Sequence, residues 1–114
     1  MSLITEVQAR QTLDEHGTPM LEVDVALDDG GRGRAVISCK DLPEPPIMGR
    51  TTPPRLQVLM GAGDISRRIA PVLVGLDVRD VEDTLAGLRV AADQPLHANA
   101  LAGVSRAAER AGNK

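Results

Sequence analysis

The chain has 114 residues, a formal net charge of −3 and no Phe, Tyr or Trp. That length gives one domain with room for a real core and excludes a (β/α)8 barrel, which takes roughly 250 residues. The mixed charge offers no electrostatic basis for binding nucleic acid or an acidic membrane surface.

A core without aromatics has to be assembled from Leu, Val, Ile, Met and Ala. These residues bury less area apiece than rings do, so the composition points to modest stability or to support from a partner. Cys39 is the sole cysteine, which leaves no internal disulfide and fits a reducing compartment. The expectation is a cytoplasmic, soluble protein with no N-terminal leader and no apolar run long enough to span a bilayer.

In chain order, residues 3–10 (LITEVQAR) carry the β-capable Ile4, Thr5 and Val7 and predict a first strand. Gly17 and Pro19 punctuate the turn that follows. Leu21, Val23, Val25 and Leu27 then alternate with Glu22, Asp24, Ala26 and Asp28. A period of two puts an aliphatic row on one face of a strand and a mostly acidic row on the other. Asp28-Asp29-Gly30-Gly31 supplies the residues a tight hairpin needs, and Gly33, Ala35 and Ile37 alternate with Arg34, Val36 and Ser38 along a third strand.

Residues 40–55 hold five prolines in sixteen positions, which forbids a regular helix or central strand there. The segment reads as a loop: a plain connection, a lid, or a PxxP ligand from Pro43 to Pro46. From Leu56 to Leu73 the pattern turns helical, with Ile65, Ile69, Val72 and Leu73 at helical spacing. Gly61 and Gly63 weaken its start, so the helix is expected to firm up near Asp64 as N-cap, and Pro71 to bend or end it. Asp77 or Asp80 is placed to cap a second helix bearing Val81, Leu85 and Leu88. Pro95 ends that segment or opens the next connection, and a last helix over about 98–111 carries Leu101, Val104, Ala108 and Ala111 on one stripe. Its small residues Ala100, Gly103 and Ala107 would let other helices come close. The fold class is α+β: one domain over 1–114, with a three-stranded antiparallel meander over 1–39, a proline-rich loop over 40–55 and packed α-helices over 56–114.

Several blocks resemble the N-terminal domain of the enolases (phosphopyruvate hydratases). Ile4-Thr5-Glu6-Val7-Gln8-Ala9-Arg10, Leu13-Asp14, Gly17, Pro19 and Glu22-Val23-Asp24-Val25 are similar to the family's opening. Gly33-Arg34-Ala35, Ile69-Ala70-Pro71, Leu73, Gly75-Leu76-Asp77 and Asp80 continue the likeness. Leu96, Ala98-Asn99-Ala100, Gly103-Val104-Ser105 and Ala107 are similar to its LGANA-x-x-GVS-x-A stretch. The resemblance implies a meander followed by a helical set. Enolases are Mg2+-dependent lyases of glycolysis that convert 2-phosphoglycerate to phosphoenolpyruvate. In that family the base, the acid and the main metal carboxylates sit on a following barrel, so none is carried onto these residues. The one loop serine that the N-terminal domain lends to a metal ion falls at Leu42, which has no oxygen to give a hard cation. Lys40 stands for a loop glycine, His16 for an arginine that helps hold subunits together, and His97 for a glycine. The degenerate active site implies a stand-alone domain without catalytic, cofactor or metal residues. Such a domain would act through protein contact with an enolase-like barrel, a full-length enolase or a second copy. The alternative is half of a split lyase, with Mg2+ bound once a barrel completes it in trans.

Set against that resemblance, the remaining chemistry in the sequence is thin. His16 and His97, the two histidines, occupy different loops without ligand spacing and read as solvated turn residues. Cys39 beside Lys40 has no nameable triad partner. Asp24, Asp28, Asp29 and Glu22 lack an EF-hand pattern, and Gly61-x-Gly63 follows no strand. Arg67-Arg68 on a helix face is the one candidate contact for an acidic partner, with His16 and Lys40 as further contact candidates.

Overall fold

The computed structural model describes residues 1–38, 49–50, 52–91 and 95–112. The expectations placed on Cys39, Lys40, Leu42 and the Pro43–Pro46 motif lie outside the described residues. The chain lays down β1 (Ile4–Leu13), β2 (Pro19–Leu27) and β3 (Arg32–Ser38) as an antiparallel sheet in the order β1-β2-β3. Helical structure follows, which makes the fold α+β with a meander first and helices after.

The register places Val7 opposite Val25, Ala9 opposite Val23, Val23 opposite Ala35 and Leu21 opposite Ile37. The aliphatic row of β2 therefore becomes the middle of a buried face, with Leu21, Val23 and Val25 at most 1% exposed. Ile4 and Val7 are both buried although three positions apart. A bulge between Ile4 and Glu6 shifts the register, and the extra residue turns both side chains inward. Asp14 closes the first turn by accepting from the N–H groups of His16 and Thr18. Gly30, at φ +90°, closes the second.

The opposite face is polar but not simply acidic. Arg10 and Arg34 flank Glu22 and Asp24 across the three strands. The Arg34 Nε lies 2.8 Å from Asp24 Oδ1 and Arg10 Nε 3.4 Å from Glu22 Oε2, and Arg10 also bonds Asp24. The Asp24 carboxylate pushes the Arg34 guanidinium further above its ordinary range.

Helix α1 (Pro54–Asp64) starts earlier than the proline run suggests. Pro53 is extended at the N-cap and Pro54 occupies the first turn, where a missing N–H costs nothing and a fixed φ favours the helix. The ladder then widens into a π segment (Ile65–Ile69) and narrows again into α2 (Ala70–Leu73). The Ala70 N–H reaches back five residues to the Ile65 carbonyl. The widening falls just before Pro71, which has no N–H to give and whose ring would crowd a regular turn. Instead of ending the helix, Pro71 is accommodated by one loose turn. Ile65, Ile69 and Leu73 are fully buried, whereas Val72, also expected at helical spacing, faces out at 41% exposure.

Gly75, at φ +95°, stops α2. The next residues join the free edge of β1: Ile4 N–H to Leu76 O, Gly75 N–H to Ile4 O and Val78 N–H to Ser2 O. Asp77 caps a short 3-10 turn (Val78–Asp80) by accepting from the Arg79 N–H at 3.0 Å. Helices α3 (Val81–Ala91) and α4 (Ala98–Gly112) complete the fold.

Helix α4 lies directly on β2 and β3. Its small residues were expected to face other helices. Instead Gly103 sits over Val23, and the backbone at Ala107 and Ala111 presses on Gly33 so closely that no Cβ fits there. Helix α3 leans on α4, with the Ser105 hydroxyl bonded to Glu82 between them. Among the described residues, no helix is long and apolar enough to cross a membrane.

Candidate functional site

Asp64 is the last residue of α1 and has helical dihedrals, φ −59° and ψ −43°. It is therefore not the N-cap that the glycines before it suggested. Its carboxylate reaches across to the start of α4. Oδ2 accepts from the His97 backbone N–H at 2.8 Å and meets His97 Nδ1 at 2.6 Å, while Oδ1 lies 3.4 Å from Arg68 Nη1. The cause is local: the first N–H groups of a helix have no partners in their own ladder, and its positive end attracts an anion. His97 precedes α4 and its carbonyl accepts from the N–H groups of Ala100 and Leu101.

An ionised carboxylate only accepts, so His97 Nδ1 carries the proton and Nε2 is left free of Asp64. The Asp64 side chain is 11% exposed and that of His97 25%. His97 is thus a half-buried, fixed imidazole rather than the solvated turn residue its loop position suggested.

Around this pair lies a hollow of about 410 Å3, lined by Leu59, Met60, Gly63, Asp64, Arg67, Arg68 and His97. Both arginines belong to the π segment. Arg68 is drawn to Asp64, whereas Arg67 has no ion-pair partner among the described residues. Leu56 and Leu59 stand on the outer surface of α1 at 46% and 58% exposure. The site thus offers an apolar surface beside a cationic one, with an oriented imidazole at their meeting point.

Of the expected contact residues, Arg67 and Arg68 come together here. His16 does not: it sits on the turn between β1 and β2, exposed, with Nε2 3.7 Å from Glu15 Oε1. The acidic residues of the hairpin serve the backbone and the sheet, since Asp28 accepts from the Leu3 N–H and Asp29 from the Gly31 N–H. Among the described residues, no group of three or more His, Cys, Asp or Glu side chains could hold a metal ion. Asp64 and His97 are 33 positions apart, so no local spacing announces the pair. The only hint in the sequence is a lone acid and a lone histidine flanking helix ends.

No protein-family model matches the sequence.

Proposed function

We propose that this chain is an enolase N-terminal-like domain, non-catalytic as an isolated polypeptide, that works through contact with another protein. The observation that carries the reading is the outer surface of α1, where Leu56 and Leu59 are exposed next to Arg67, which has no ion-pair partner among the described residues. Leucines this exposed at i and i+3 gain by being covered, and a neighbouring cation favours a partner with acidic groups. Two features of the sequence support the enolase-like assignment and the lack of catalysis: the collinear resemblance, and Leu42 at the position of the loop serine. The partners that fit are an enolase-like barrel, a full-length enolase or a second copy of the chain. The same reading sets the chain in the cytoplasm.

The test has two arms. The purified chain is assayed with 2-phosphoglycerate and Mg2+, and no turnover is expected. It is then run on a sizing column alone, with a full-length enolase and with an isolated barrel. Wild type should elute in a larger complex in one of these runs, and a Leu56→Glu, Leu59→Glu double variant should not. Turnover by the isolated chain would overturn the reading, and so would wild type that remains monomeric and uncomplexed in every run.

A second reading is the N-terminal half of an Mg2+-dependent lyase acting on 2-phosphoglycerate or a related acid, completed by a barrel in trans. It draws on the Asp64–His97 pair, an oriented imidazole of the kind that moves protons once a partner closes over it. Under this reading, adding the chain to a barrel raises lyase turnover as well as mass on the column.

A further inference from the structure

We infer that the hollow between the π segment and the start of α4 binds a small organic acid. Its oxyanion would be held by Arg67 and His97, and its carbon portion would rest on Leu59 and Met60. The charge balance points this way. Asp64 is already engaged by the His97 backbone N–H, the His97 ring and Arg68. Once that carboxylate is counted against Arg68, the Arg67 guanidinium remains over and has no ion-pair partner among the described residues. A guanidinium holds carboxylate or phosphate oxygens through paired N–H donors.

The ring of His97 is held through Nδ1, which leaves Nε2 as the nitrogen that can meet a ligand. An N–H at that nitrogen would donate to an oxyanion placed against it. Asp64, Arg67 and Arg68 are the other charged groups lining the hollow among the described residues, and Asp64 acts as a positioning residue for the imidazole. A volume of about 410 Å3 falls in the range of small-molecule sites, which pair an apolar wall with a few placed polar groups. Leu59 and Met60 supply that wall, so an acid with a hydrocarbon portion fits better than a bare inorganic ion. The π turn that carries both arginines is itself a backbone irregularity of a kind enriched at functional sites.

The inference stands apart from the contact reading, because its test uses the isolated chain and needs no partner. Sodium hexanoate, sodium acetate and inorganic phosphate are titrated separately into 15N-labelled protein, and the amide and imidazole signals of Met60, Arg67 and His97 are followed. Hexanoate is expected to shift these signals saturably and to bind at least about tenfold more tightly than acetate, because it covers more apolar surface. Arg67→Gln, at an exposed position, should weaken hexanoate by about tenfold while leaving the spectrum of the core unchanged. His97→Ala, which removes the ring held by Asp64, should likewise weaken hexanoate. Shifts that rise linearly without saturation for all three anions would overturn the inference. So would hexanoate binding that Arg67→Gln leaves unchanged. Equal affinity for phosphate and hexanoate would overturn the organic-acid assignment.

Discussion

Asp77 shows how one carboxylate can serve two structural tasks. Its side chain caps the 3-10 turn and pairs with Arg79, with Oδ2 3.0 Å from Arg79 Nη2, while its backbone bridges to Leu3. The hydrogen bond from the Arg79 side chain, followed by that from the Arg79 backbone N–H, holds the Asp77 carboxyl below its ordinary value of 3.8. A carboxyl depressed in the folded state stabilises the fold fully above its ordinary value, and loses that contribution as pH falls through the folded value. Denaturant midpoints measured against pH should therefore separate wild type from Asp77→Asn at neutral pH. The two curves should converge in acid below the ordinary carboxylate range. At the same scale, the sequence did not disclose Asp64. Two glycines before it imitate a weak helix start, and its true partner at position 97 becomes a neighbour only once α4 is laid across the sheet.

At the scale of elements, α4 and β3 meet backbone to backbone at Gly33. A methyl group at Gly33 would collide with the backbone of Ala107 and Ala111, and neither a strand nor a helix backbone can yield cheaply. Gly33→Ala is expected to cost about 3 kcal/mol, read from chemical unfolding, with Gly30 left to close the hairpin as before. Arg110 of the same helix donates to the Arg34 carbonyl at 2.6 Å, occupying an acceptor on β3 with a cationic side chain, a device that discourages strand addition at a sheet edge.

The meander was legible because alternation in β2 and a glycine turn are local signals that packing did not contradict. The long helix was less so. Prolines at 53, 54 and 71 argue against helix residue by residue. In fact the first two begin it, and the third is absorbed by a π turn that no periodicity predicts. The packing of α4 was legible only in part for a related reason: it meets α1 and α3 as well as the sheet, and small residues announce a close approach but not what approaches.

The whole molecule is held at one end by its first residues. The Leu3 N–H donates to Asp28 Oδ1, its carbonyl accepts from Asp28, and the Ser2 carbonyl accepts from Val78. The N-terminal segment thus joins the hairpin tip to the entry of the 3-10 turn. Removing residues 1–3 deletes these three bonds and should lower stability by about 3 kcal/mol, checked by thermal melting in far-ultraviolet circular dichroism. Near-ultraviolet signals are of little use in a chain without aromatics.

The position of α4 also bears on synthesis. The meander is complete by Ser38, yet the helix that covers β2 and β3 runs from Ala98 to Gly112. On a ribosome, hairpins made early would wait with an oily side uncovered until that late helix leaves the exit tunnel. During this interval the nascent polypeptide is a natural client for chaperones, and any translational pause between the strands and α4 would prolong its exposure to aggregation.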